Sequence, residues 1–165
     1  MKKRSFIILI SVVAAILLLG VASGFIYTTL STNKRVLKLD LQGDCALEKA
    51  SCVAQDTVGH QVHIALSPHP ITVLSDIQVQ AQLQGFDAIQ SAKITVEGVN
   101  MFMGYQYANL QAVSDNQWQG SFVLPICTSS VMHWRATLAI STQNGRYQAD
   151  FPFKTYGKKN LPQND

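Results

Sequence analysis

The sequence predicts an all-β domain that follows a single apolar helix, and three observations lead to this prediction. Apolar and polar residues alternate without interruption over 77–84, which is the pattern of a strand with one buried and one solvated face. Short segments rich in Gly, Asn, Asp and Ser separate this strand from similar ones. No segment after residue 27 has the residue spacing of an amphipathic helix.

The first 30 residues combine a basic tip with an apolar run. Lys2, Lys3 and Arg4 precede a run that is apolar mainly over 6–27. About 22 helical residues at about 1.5 Å each span roughly 33 Å, close to the hydrocarbon thickness of a bilayer. Positive charge on the near side predicts a single-pass helix in a bacterial inner membrane, with the chain after Tyr27 in the periplasm.

A cleaved signal peptide is the alternative interpretation of the same segment. Its apolar core would be 5–19, and its small-residue cleavage site would be 21–23. The domain then reaches the periplasm without its anchor. We therefore expect three regions: the tip and helix at 1–30, an extracytoplasmic β-domain at 31–156 and a polar tail at 157–165.

The charge distribution excludes several classes of function. The net charge of +3 resides in the basic tip, so the outer domain is formally neutral and lacks the basic stripe of a nucleic-acid binder. Nucleophile elbows, phosphate-binding glycine loops and zinc-protease helices are absent from the sequence. We therefore expect neither a nucleic-acid partner nor an enzyme.

The strand segments predict one antiparallel sandwich of immunoglobulin-like type with seven to nine strands. One face carries Trp134, Ala136, Leu138 and Ile140, which are spaced for a common core. About 120 residues are enough for one core but not for two. The strand segments are 37–41, 53–58, 62–66, 77–84, 92–99, 107–113, 118–124, 134–141 and 147–153.

Three cysteines in an oxidising compartment leave one without a partner inside the chain. Cys45 and Cys52 are seven residues apart and flank a polar stretch, so we predict a local disulfide between them. A bridge from either of them to Cys127 is the alternative. With the local bridge, Cys127 is a free thiol.

Soft donor atoms gather in two segments of the sequence. Met101 and Met103 end one strand, Cys127 follows another, and Met132 and His133 open the next. Thioether and thiolate sulfurs select Cu(I), and imidazole also binds copper. The five side chains predict a copper site at one end of the domain, with simple packing of the sulfurs in the core as the alternative.

The remaining histidines give a weaker pattern. His60 and His63 are three residues apart and would face opposite sides of one strand, and His69 lies between two prolines. A zinc or copper(II) site built from these three is the second metal hypothesis.

Three motifs follow one another in the sequence: Gly-x-Asn-Met-x-Met-Gly at 98–104, Trp-x-Gly-x-Phe-x-Leu-Pro at 118–127, and Met-x-Trp-x-Ala-x-Leu at 132–140. The order of these motifs resembles the YtkA-like and FixH-like group. This resemblance implies a small membrane-tethered immunoglobulin-like domain, of a group in which some members are associated with copper and with assembly of haem–copper oxidases. The proline between the two sulfurs in the group's usual motif is missing from 100–103.

The resemblance carries a family role to Met101, Met103 and Met132, whereas Cys127 rests on the coordination argument. We therefore expect a membrane-anchored periplasmic domain that binds or relays Cu(I), with an oxidase or a copper-delivery protein as its partner. The alternative is a structural subunit that docks on a membrane complex and binds no metal.

Overall fold

The computed structural model describes residues 13–21 and 35–157. The chain divides into two compact units, Met1–Arg35 and Val36–Asp165. In the first unit, residues 13–21 are helical. Across the described residues, we find no helix with both the length and the apolar character needed to cross a membrane.

Two predictions fall largely outside the described residues. The predicted membrane-spanning segment at 6–27 is described only over 13–21, and the predicted tail at 157–165 only at its first residue. Both therefore stay predictions.

Between residues 35 and 157 the second unit forms ten strands and no helix, so the predicted all-β class is confirmed. The strands are β1 (Val36–Lys38), β2 (Asp40–Gln42), β3 (Cys52–Gln55), β4 (Gln61–Ser67), β5 (Asp76–Gln84), β6 (Ile89–Gly98), β7 (Tyr105–Ala112), β8 (Gln117–Val123), β9 (Val131–Thr142) and β10 (Arg146–Tyr156).

The strands form one continuous sheet in the order β1-β10-β9-β6-β7-β8-β5-β4-β3-β2. All neighbouring strands are antiparallel except β1 and β10, which are parallel. Among the described residues, only two pairs connect β7 to β8 in the sheet: Gln111 with Gln119, and Ala112 with Trp118. Because β2 also lies against β10, the sheet comes close to closing on itself as a barrel.

The expected count of seven to nine strands was too low by one, because the segment predicted at 37–41 is two strands. Residues 36–38 pair with β10 and residues 40–42 pair with β3, at opposite ends of the sheet order. Leu39 lies between them and is buried, and its N–H donates to the carbonyl of Gln148 at 2.9 Å. Burial of Leu39 in the core thus marks the point where the chain crosses between the two ends.

The core follows the predicted alternation. Every second residue of β5 is buried and the others are exposed, and β9 buries Trp134, Ala136, Leu138 and Ile140 as predicted. The indole N–H of Trp134 donates to Oγ1 of the buried Thr155 at 2.9 Å, so this large side chain enters the core without an unpaired donor.

At one end of the sheet, a carboxylate organises the turn between β3 and β4. Oδ1 of Asp56 accepts hydrogen bonds from the backbone N–H groups of Val58, Gly59 and His60 at 2.9, 2.9 and 3.0 Å. Oδ2 lies 2.6 Å from Nδ1 of His60. The carboxylate therefore holds both the backbone of the turn and the imidazole that follows it.

The imidazole of His60 lies against two aromatic rings that come from distant parts of the chain. Its ring centroid is 4.9 Å from that of Phe86 and 4.5 Å from that of Tyr147. Because Phe86 follows β5 and Tyr147 belongs to β10, this contact joins both halves of the sheet at this end.

Burial of Asp56 raises the pKa of its carboxyl, but the hydrogen bonds from His60 and Val58 and the charge of His60 outweigh burial and leave the pKa lowered. A lowered pKa in the folded state stabilises the fold above the unfolded-state value of about 3.9. This contribution is lost as the pH falls from about 4 through the lowered pKa.

We predict that Asp56→Asn lowers the free energy of unfolding at neutral pH by about 1–2 kcal/mol, because charge-assisted hydrogen bonds are lost. Urea unfolding at a series of pH values measures the effect. The difference between wild type and variant should shrink as the pH falls below about 4, since protonation removes the same charge from the wild type.

The matched control is Asp87→Asn, which changes an exposed carboxylate in the loop between β5 and β6. It should leave both the stability and its dependence on pH close to those of the wild type. An Asp56→Asn protein with the wild-type pH profile contradicts the assignment.

Candidate functional site

Three loops meet at one end of the sheet. The opposite end carries the contact of His60 with Asp56, Phe86 and Tyr147. The three loops connect β4 to β5 (68–75), β6 to β7 (99–104) and β8 to β9 (124–130). The N–H of Leu74 donates to the carbonyl of Leu124 at 2.9 Å, and the N–H of Gly157 donates to the carbonyl of Ser130 at 2.9 Å. These bonds join the loop at 124–130 to the loop at 68–75 and to the end of β10.

Asn100 ties the loop at 99–104 to the start of β9. Its Nδ2 donates to the carbonyl of Val131 at 3.0 Å, and its Oδ1 accepts the backbone N–H of His133 at 3.0 Å. The N–H of Val99 adds a third bond, to the carbonyl of His133 at 2.8 Å. The residue after Asn100 is Met101, so this side chain positions the first of the predicted sulfur donors.

Gly98 lets the same loop turn closely over the end of β6. A Cβ atom at this position would overlap the carbonyl oxygen of Met101 and would lie 3.0 Å from Cε of Met132. The close approach requires a residue without a side chain.

The thiol of Cys127 lies directly beside the thioether of Met101. Sγ of Cys127 donates to Sδ of Met101 at a distance of 3.3 Å, and it accepts the backbone N–H of Ser129 at 3.4 Å. Cys127 is half-buried, and Met101 is 39% exposed. The structure therefore brings together two of the five predicted donors, although they are 26 residues apart in the chain.

Cys127 is a free thiol because the other two cysteines bridge each other. The disulfide joins Cys45 and Cys52, so the predicted local pairing is confirmed and the alternative bridges to Cys127 are not formed.

Met132 approaches the same place from inside the fold. It is 2% exposed, and it lines a cavity of about 260 Å³ together with Cys127 and Tyr156. Cys127 thus contacts Met101 and also lines the cavity that Met132 lines.

The remaining two predicted donors have different surroundings. Met103 is half-buried and packs against the core. His133 is exposed, and it lies on the face of β9 opposite to Met132, because successive side chains of a strand point to opposite faces. It lines a separate cleft of about 520 Å³ with Arg135 and Lys154.

The structure does not bring His60, His63 and His69 together as the zinc or copper(II) site of the second metal hypothesis would require. His60 is held by Asp56, whereas His63 and His69 are exposed on β4 and in the loop after it. In the described part of the chain, no three or more His, Cys, Asp or Glu side chains come together as a metal-binding group.

A thiol and a thioether at this separation match the distance between two ligands of one ion. With metal–sulfur bonds of about 2.3 Å, two sulfurs lie about 3.3 Å apart at a right angle and about 4 Å apart at 120°. The pair therefore needs a movement of less than about 1 Å to bind one soft ion in either geometry.

Sequence reasoning missed the two residues that set this geometry, Gly98 and Asn100. The signal was present in the motif Gly-x-Asn-Met, because a Gly at the end of a strand marks a close approach and an Asn in a loop commonly bonds to nearby backbone.

Comparison with known proteins finds no matching protein-family model, no matching curated protein and no matching solved structure. The interpretation of the site therefore rests on its own geometry and chemistry.

We predict that Gly98→Ala destabilises the domain by about 1–3 kcal/mol, because an added methyl group must displace the backbone at Met101. Urea unfolding measures the loss. The control is Gly157→Ala, whose added Cβ would meet no atom closer than 3.6 Å. Equal stability of the two variants contradicts the proposed close approach.

Proposed function

We propose that this chain is a membrane-anchored periplasmic protein that binds Cu(I) through Met101 and Cys127 and passes the ion to a membrane partner, either an oxidase under assembly or a copper-delivery protein. The contact of 3.3 Å between Sγ of Cys127 and Sδ of Met101 carries this proposal.

The chemistry of the pair supports a soft monovalent ion. A thiolate and a thioether are the donors that select Cu(I) over harder divalent ions. The N–H of Ser129 points at Sγ of Cys127, and a donor in this position stabilises the negative charge of a metal-bound thiolate. Met132 supplies a third sulfur if the cavity narrows around the ion, whereas His133 faces away and is left out of the proposed donor set.

The inferred fold is an immunoglobulin-like sandwich. The order of the strands supports this inference: β5 lies between β4 and β8, whereas β6 lies between β9 and β7. Two groups of antiparallel strands are therefore joined mainly through the hairpin of β7 and β8. The apolar run at 6–27 with its basic tip supports the anchor and the periplasmic location.

Competitive titration tests the metal site directly. The full chain is titrated anaerobically with Cu(I) in the presence of a colorimetric Cu(I) chelator, with Cys45 and Cys52 left bridged. We predict that Cys127→Ser and Met101→Leu each weaken Cu(I) binding, and that the double variant weakens it at least about a hundredfold, equivalent to about 2.8 kcal/mol.

Met103→Leu is the matched control, because it removes a thioether two residues from Met101 without touching the sulfur pair. It should bind Cu(I) like the wild type. Unchanged affinity in the Met101→Leu/Cys127→Ser double variant would falsify the proposal.

A second function, docking on a membrane complex without metal, is favoured by the exposed apolar side chains near the sulfur pair. Phe102, Val99 and Ile126 are all more than half exposed, and an exposed apolar patch commonly marks an interaction site. Absence of Cu(I) binding in the wild type, together with association with a partner complex that the double variant retains, supports this function over the first.

A further inference from the structure

The sulfur pair by itself is an incomplete coordination site. Sγ of Cys127 and Sδ of Met101 are in contact, whereas Met132 is almost fully buried. Because Met101 is 39% exposed, the open side of the pair faces the surface of the domain. A further ligand on that side can come from a second molecule.

The loops around the pair carry several exposed apolar side chains. Leu74 is 65% exposed, Phe102 64% and Ile126 59%, and they come from the three loops at this end of the sheet. Phe102 follows Met101 and Ile126 precedes Cys127, whereas the other two sequence neighbours, Asn100 and Thr128, are exposed and polar. We define the rim as the apolar side chains of Leu74, Met101, Phe102 and Ile126.

The rim also lacks charge. None of the residues in the loops 68–75, 99–104 and 124–130 is Asp, Glu, Lys or Arg. The loops at the opposite end of the sheet contain Asp56, Asp87 and Asp115. Two copies of the rim can therefore approach each other without bringing like charges together, and each would cover apolar surface of the other.

We propose that two copies of this chain dock rim to rim and hold one Cu(I) ion between them, with Cys127 and Met101 contributed by each copy. The proposal rests on the Cu(I) function of the sulfur pair. A two-fold axis through the ion makes the contact isologous, so that the same patch serves both copies and the assembly closes as a dimer.

The ligation step conserves oxidation state. Each Cys127 loses its Sγ–H proton to solvent as its Sγ–Cu bond forms, each Met101 donates a lone pair of Sδ, and the copper stays Cu(I). The four sulfurs then surround the ion without any ligand from His133.

The test combines stoichiometry with mass. The full chain in detergent is loaded anaerobically with Cu(I) under ascorbate, and sedimentation velocity and copper content are measured on the same sample. We expect one copper ion for every two chains and a dimer whose population rises with copper. We also expect that Cys127→Ser abolishes the increase in dimer population that copper causes.

Phe102→Asp places a charge in the rim without removing a sulfur. It should raise the dissociation constant of the dimer by about tenfold or more, because the two aspartates would face each other in a desolvated contact. The matched control is Val58→Asp, which alters an apolar residue that is 79% exposed in the turn between β3 and β4. It should dimerise like the wild type.

The outcomes separate the two levels of the proposal. One copper ion per monomeric chain overturns the shared site and leaves the Cu(I) function intact, whereas absence of Cu(I) binding overturns both. A dimer that forms equally well without copper and binds one ion per chain also overturns the shared site. Equal dimerisation of Phe102→Asp and wild type overturns the rim as the contact.

Discussion

The long strands of this domain each bury one face, and the positions of the connecting loops follow from this burial. Strands β5 and β9 bury every second side chain. Each Å² of apolar surface removed from water in this way stabilises the fold by roughly 25 cal/mol. Because the strands are fixed by their buried faces, their connections must emerge at the two ends of the sheet. One end is held by a carboxylate, an imidazole and two aromatic rings. The other end brings Sγ of Cys127 and Sδ of Met101 together.

The sulfur pair is positioned by groups that contain no sulfur. Asn100 joins its loop to the backbone of β9 through a donor and an acceptor at 3.0 Å each, and Gly98 lets that loop turn closely over β6. On the other side, the N–H of Ser129 points at the thiol of Cys127. A donor pair set by backbone and amide contacts needs little reorganisation to bind an ion, which is the usual advantage of a preorganised site. Its exposure at an uncharged end of the domain suits the proposed transfer of Cu(I) to a partner protein.

The sequence was sufficient for the features that depend on local pattern. The alternation over 77–84 and the shared face of Trp134 and Ile140 predicted strands that the structure contains, and the short spacing of Cys45 and Cys52 predicted their disulfide. The break at Leu39 was missed, because local pattern does not reveal that the two halves of one apolar segment pair with different strands. The contact of Met101 with Cys127 depends on the registers of two separate strand pairs, so it follows only from the fold. The sequence could have predicted that the side chains of Met132 and His133 point in opposite directions, because the two residues are adjacent on one strand.

Whether Cys127 and Met101 together bind one soft ion can be read from the coordination shell of that ion. X-ray absorption at the copper edge of the Cu(I)-loaded full chain reports the type and distance of the bound atoms. We expect a shell of sulfur alone at about 2.3 Å, with sulfur scattering reduced when Met101 is replaced by leucine. A shell dominated by nitrogen with the outer scattering of imidazole, or a spectrum indifferent to the loss of both sulfurs, would contradict this expectation.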